Sequence, residues 1–164
     1  NRTYLSRMGI EPSLVKDFLS HAAYSPRNIS LIVAYLRLLD EIPSRTAIIQ
    51  NALRARTETD AVAERYRVRM LVHYHRTVAK LDVISAEVAG LIAVTNNGVR
   101  VLFNPADLIQ WNAQTADAVV ELALFPTASA ETALELVMAG TASKQARSRF
   151  TAQGLSLREQ FSFD

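Results

Sequence analysis

Thr95-Asn96-Asn97-Gly98 stands between two apolar runs, Leu91-Ile92-Ala93-Val94 before it and Val99-Arg100-Val101-Leu102-Phe103 after it. Asn-Gly accepts positive φ at both central positions of a tight turn, so this pattern is the strongest short-range signal for a β-hairpin. With Asn97-Gly98 as a two-residue turn, Val94 pairs with Val101, Ala93 with Leu102 and Ile92 with Phe103. One face is then wholly apolar (Ile92, Val94, Val99, Val101 and Phe103), while the other carries Thr95 and Arg100. A three-residue loop would mismatch these faces, which argues against it.

The chain before this hairpin reads as helical. Pro12 opens an amphipathic stretch, Ser13 to Ala22, with Leu14, Val15, Phe18 and Leu19 on one side. Ser25-Pro26 supplies a capping hydroxyl followed by proline at the first helical position. The helix it starts, about 26–40, is apolar on nearly every side and belongs at the centre of a bundle. Pro43-Ser44 restarts the chain as a third helix to about Ala55. Thr57 with Asp60 approximates a capping box and starts the longest helix, to about Leu81. Its core face is Ala63, Met70, Leu71, Tyr74, Val78 and Leu81.

From about Val83 the pattern changes. After the hairpin, Asp107 to Trp111 reads as a short strand or a bend, and Thr115 to Leu124 as a helix. Pro126 to Ser129 reads as a loop. Thr132 to Met138 follows as a strand, with a helix from Ala130 as the alternative. Ser143 to Gln153 is a helix stopped by Gly154, and Leu155 to Phe163 alternates as a final strand, with Glu159 the exception on its apolar face. A strand–helix–strand unit of this length implies parallel strands.

Composition narrows the function classes. The content is 49% apolar and 21% charged, which places the chain among ordinary globular proteins. There is no cysteine, which excludes disulfides, thiolate metal ligands and cysteine nucleophiles. A net charge of +2 gives little general attraction to polyanions, so any such binding must come from local clustering. No apolar run reaches the roughly 18 residues that a membrane-spanning helix needs. Asn1 in place of Met, with no signal-peptide pattern after it, reads as a processed form or a piece of something longer. Nothing in the sequence fixes a compartment or an oligomeric state.

The sharpest cluster lies on the long helix. Arg65, Arg69, His73, Arg76 and Lys80 fall within about 80° of one another at helical spacing, forming a basic stripe about 20 Å long. Such a stripe suits nucleic-acid phosphates or other anions. A solvated surface face explains it too, because acids at the helix start and cations after them follow the macrodipole. Arg67 points into the apolar arc and needs a carboxylate or carbonyls around it; Glu159 on the last strand is one candidate. His73 and His75 point about 200° apart on a helix and cannot chelate together, so no metal site is expected. Gly140-Thr141-Ala142-Ser143-Lys144 feeds a helix start but lacks the glycine spacing of a phosphate loop, and capping by Thr141 or Ser143 accounts for it. Trp111 reads as a core or inter-lobe anchor. No nucleophile motif, cofactor loop or paired carboxylates can be identified, and no cofactor is implied.

These readings add up to an α+β fold. A bundle of about four helices occupies 1–82 and a small mixed sheet, a hairpin plus a β-α-β unit, occupies 83–164; the two pack as one unit. The leading function is a non-catalytic protein-interaction or structural module of a larger chain or assembly, its partner another protein or the rest of a longer chain. The alternative is a nucleic-acid-binding domain using the 65–80 stripe with Arg54, Arg56, Lys144, Arg147 and Arg149. An enzyme with a pocket between the lobes stands third.

Overall fold

A computed structural model describes residues 1–126 and 133–163. The first half holds α1 (Arg2–Arg7), α2 (Pro12–Leu19), α3 (Pro26–Arg37), a 3-10 turn (Pro43–Thr46), α4 (Ala47–Ala52) and α5 (Glu58–Thr77). The second holds β1 (Leu81–Glu87), β2 (Gly90–Thr95), β3 (Arg100–Asn104), β4 (Leu108–Ile109), α6 (Ala113–Leu124), β5 (Leu134–Met138), β6 (Thr141–Ala142), α7 (Lys144–Ala152) and β7 (Leu155–Arg158). Five strands form one mixed sheet in the order β1-β2-β3-β5-β7, and β4 with β6 forms a separate two-stranded parallel ladder. The β1-β2-β3 meander is antiparallel, whereas β3-β5 and β5-β7 are parallel. The strand alternative for 132–138 therefore holds over 134–138; the loop predicted over 126–129 lies mostly outside the described residues.

Helix starts follow their local signals. Ser25 accepts from the Asn28 N–H, Ser143 from the Ala146 N–H, and Thr57 forms a reciprocal capping box with Asp60. Other expectations needed correction. Helix α3 is amphipathic rather than apolar all round: Ile29, Ile32, Val33 and Leu36 are buried, while Ser30, Ala34 and Arg37 face solvent. The predicted third helix is a 3-10 turn followed by the six residues of α4.

The hairpin is present with a different register. Ile92 pairs with Leu102, Ala93 with Val101 and Val94 with Arg100, one residue off the expected pairing. Thr95 N–H donates to Val99 O at 2.9 Å and Gly98 N–H to Thr95 O at 2.8 Å, so Asn96-Asn97-Gly98 is a three-residue loop with Gly98 at φ +82°. The argument against that loop assumed a single buried face. Both faces are buried: Leu91, Ala93, Val101 and Phe103 join the core shared with α1–α5, while Ile92 and Leu102 join a second core with α6 and α7. With apolar residues on both sides, a one-residue slip costs no exposed apolar face, and loop geometry decides the register.

The long helix ends at Thr77, not Leu81, and Leu81 opens the edge strand β1. No glycine or proline marks the break. The buried His75 Nδ1 accepts the Leu81 N–H at 3.0 Å, and Lys80 O accepts the Asn96 N–H at 2.9 Å, turning the chain into the sheet. Val78, expected in the core, is 39% exposed as a result. The final strand likewise stops at Arg158. Gln160 adopts φ +52°, and the chain leaves the sheet to lay Phe161 and Phe163 against α5.

Candidate functional site

Three surfaces bear on function: the basic stripe of α5, an apolar groove beside α6, and a polar cleft between the two halves. The stripe is less open than its helical spacing implies. Lys80 lies beyond the end of α5 and donates to Glu41 Oε1 at 2.6 Å. Arg65 lies over the Tyr66 ring at 4.3 Å, and Arg69 over the Phe163 ring at 5.4 Å. The His73 ring meets Phe161 edge-on at 5.4 Å. Arg76 is exposed. The structure thus brings Arg65, Arg69, His73 and Arg76 along one side of α5, removes Lys80 from it, and partly covers it with the C-terminal segment. His75, on the opposite side of the helix from His73, is 2% exposed and bonds Glu41. Among the described residues no group of three or more His, Cys, Asp or Glu could hold a metal ion.

The apolar groove, about 800 Å³, runs between the β1–β2 turn and α6. Val88, Val120 and Leu124 line it and are 93%, 56% and 77% exposed. Val120 and Leu124 protrude because α6 buries only Val119 and Leu122 on its sheet-facing side, and Val88 protrudes at the tip of the β1–β2 turn. Among the described residues, three carboxylates (Glu87, Asp117 and Glu121) and no cation line the same groove. Glu121 also fixes its wall: its carboxylate accepts the Val88 N–H at 2.9 Å and the Ala89 N–H. At the far end of α6, Arg100 donates to the carbonyls of Ala123 and Phe125, favourable placement for a cation at a helix C-terminus.

On the other side of the same turn, two joined depressions of about 340 and 440 Å³ form a polar cleft. Arg67 lies in both. Its Nε donates to Phe103 O at 3.2 Å and its Nη1 to the Glu64 carboxylate. The expected contact with Glu159 is not made. Glu64 lies three residues before Arg67 on the same helical face, within easy reach, whereas Glu159 binds Arg147 at 2.9–3.0 Å and accepts the Ala142 N–H. Arg54 closes another wall, donating to Ala86 O at 3.1 Å, to Glu87 O and to Asn51. Behind the cleft, burial first and the Glu64 charge second push the Tyr24 hydroxyl pKa well above its usual range. That hydroxyl donates to Ala52 O at 2.9 Å.

A further buried group joins the halves. Glu135 on β5 accepts from the Tyr74 hydroxyl at 2.5 Å and from Arg158 Nε at 2.8 Å. Burial, then the Glu135 hydrogen bond, raise the Tyr74 pKa above its usual range. With Arg158 also over the Tyr74 ring, this closed set reads as a structural tie between α5 and the sheet. Ser143 caps α7, and Trp111 packs edge-on against Phe150 at 5.5 Å in the second core. Neither the groove nor the cleft carried a motif, because each is assembled from segments far apart in sequence. No family model, curated protein or solved structure matches this chain.

Proposed function

We propose that the chain is a non-catalytic protein-interaction module that receives a partner segment in the groove between the β1–β2 turn and α6. The supporting observation is the set Val88, Val120 and Leu124, exposed together on one concave surface. Clustered exposed apolar side chains are costly to keep in water, and such patches mark interaction surfaces. The carboxylates around them favour a segment with two or three apolar anchors flanked by Lys or Arg. In this reading the helices of 1–82 form a supporting bundle for 83–164, and the two lobes act as one unit. Nucleic-acid binding by Arg65, Arg69, His73, Arg76 and Lys80 has less support, since rings or Glu41 already engage most of these cations.

Selecting a random peptide library on the protein tests the proposal. Basic, amphipathic peptides are expected to be enriched. Val88→Ser and Leu124→Ser should each weaken them by about tenfold, without changing the urea unfolding midpoint. Enrichment of acidic peptides, or binding indifferent to both substitutions, would count against the groove.

A further inference from the structure

We propose that the polar cleft binds a small organic amine, its ammonium group seated against Glu64. This site is separate from the docking groove and does not depend on it. Two independent observations meet here.

The first is a buried carboxylate with an unused oxygen. Glu64 forms part of the cleft wall yet is 3% exposed. Its Oε2 is held by Arg67, while its buried Oε1 has no hydrogen-bond partner. A buried charged oxygen without a donor is expensive, and a native fold keeps such a group where a ligand or another donor completes it.

The second is the charge balance of the walls. Among the described residues that line the cleft, Asp60, Glu64, Asp117 and Glu121 face Arg54 and Arg67 alone. Both guanidiniums are already committed to protein acceptors: Arg54 to Ala86 O and Glu87 O, Arg67 to Phe103 O and Glu64. The remaining field is negative, which excludes a phosphate or carboxylate ligand and favours a cation. An ammonium brings three donors and no acceptor, matching a carboxylate oxygen that lacks a donor. The apolar stretch of wall at Val88, Ala89 and Ala118 suits a short alkyl chain. The arm that Glu64 lines, about 340 Å³, is within the range of small-molecule sites and shares Arg67, Val88, Ala89 and Gln114 with the wider one.

Calorimetric titration of the intact protein with 1,4-diaminobutane and n-butylamine tests this, with n-butanol and butyrate as neutral and anionic probes. Saturable binding of the amines alone is the expected result. Glu64→Gln should weaken it by about tenfold or more, as expected for loss of a charge-assisted hydrogen bond. Because Glu64 also holds Arg67, a second variant separates binding from folding. Gln114→Lys, at an exposed position on the cleft wall, places a competing ammonium in the site and should abolish amine binding while leaving the unfolding midpoint in place. Equal binding of butanol or butyrate, no saturable amine binding, or wild-type affinity in Gln114→Lys would each overturn the proposal.

Discussion

Replacing Gly140 by alanine should be among the most damaging single-methyl changes available in this chain, for a reason unrelated to backbone freedom. A β-carbon at Gly140 would lie 1.8 Å from the Asp107 carbonyl oxygen and 2.2 Å from its carbonyl carbon. Ordinary contact begins at 3.4 Å, so the two backbones must separate by about 1.6 Å. Three hydrogen bonds hold this crossing and start the β4–β6 ladder. Gly140 N–H donates to Ala106 O at 3.1 Å, Thr141 N–H to Asp107 O at 2.9 Å and Ser143 N–H to Ile109 O at 2.8 Å. The required shift breaks the first two, at about 1 kcal/mol each. Overpacking adds about 1–3 kcal/mol, giving a loss of about 3–5 kcal/mol. Gly154 provides the contrast, because it has φ +79° but nothing within 4 Å of the added atom. Gly154→Ala should therefore cost only the left-handed backbone penalty, about 1–2 kcal/mol. Urea unfolding followed by circular dichroism compares the two variants directly, and equal m-values allow midpoints to be read as stability. If Gly140→Ala is no less stable than Gly154→Ala, the steric argument fails.

Acid should destabilise the protein through its paired carboxylates. Hydrogen bonds from Arg147, then from the Ala142 N–H, hold the Glu159 carboxyl below its ordinary value of 4.5. Bonds from Lys80, then His75, do the same for Glu41. A folded-state pKa below the unfolded one means this stability is fully present above about pH 4.5 and is lost as pH falls through the folded value. The urea midpoint should therefore decline on acidification below that point, and Glu159→Gln should flatten the decline; an unchanged slope would argue against the pairing. Glu121→Ala should release the β1–β2 turn from α6. Amide exchange at Val88 and Ala89 should quicken about 10- to 100-fold, the equivalent of losing charge-assisted bonds, while Leu91 stays protected. Unaltered protection at Val88 and Ala89 would show that the turn is held by something else.

The parts of the fold legible in the sequence are those fixed by neighbours along the chain. Ser25, Thr57 and Ser143 cap helices where the sequence places caps, because a side-chain oxygen three residues ahead of an N–H needs nothing from the rest of the molecule. The failures share the opposite cause. The end of α5 depends on His75 accepting the Leu81 N–H, and the end of β7 on Glu159 being drawn to Arg147. The hairpin register departs from the expected one because the alternation of Ile92 to Phe103 implies one buried face, whereas α6 and α7 bury the second. Arg67 takes the carboxylate and carbonyl that its place on the helix calls for while staying partly exposed, and the spacing rule that puts i and i+3 on one helical face identifies Glu64 as its partner.

The same reasoning explains why neither candidate site could be read in advance. The β1–β2 turn, Val88-Ala89, has no glycine, asparagine or proline at its centre and gives no local turn signal. Its conformation depends on Glu121, 32 and 33 residues away, accepting both N–H groups. Glu121 also lines both the apolar groove and the wider arm of the polar cleft. One carboxylate therefore positions the wall that divides the two surfaces. Val88 itself lines both surfaces, one on each side of the turn. The turn is held to α6 by two hydrogen bonds, so it is the part of this wall that opens at least energetic cost, while β2 beside it is buried along its whole length.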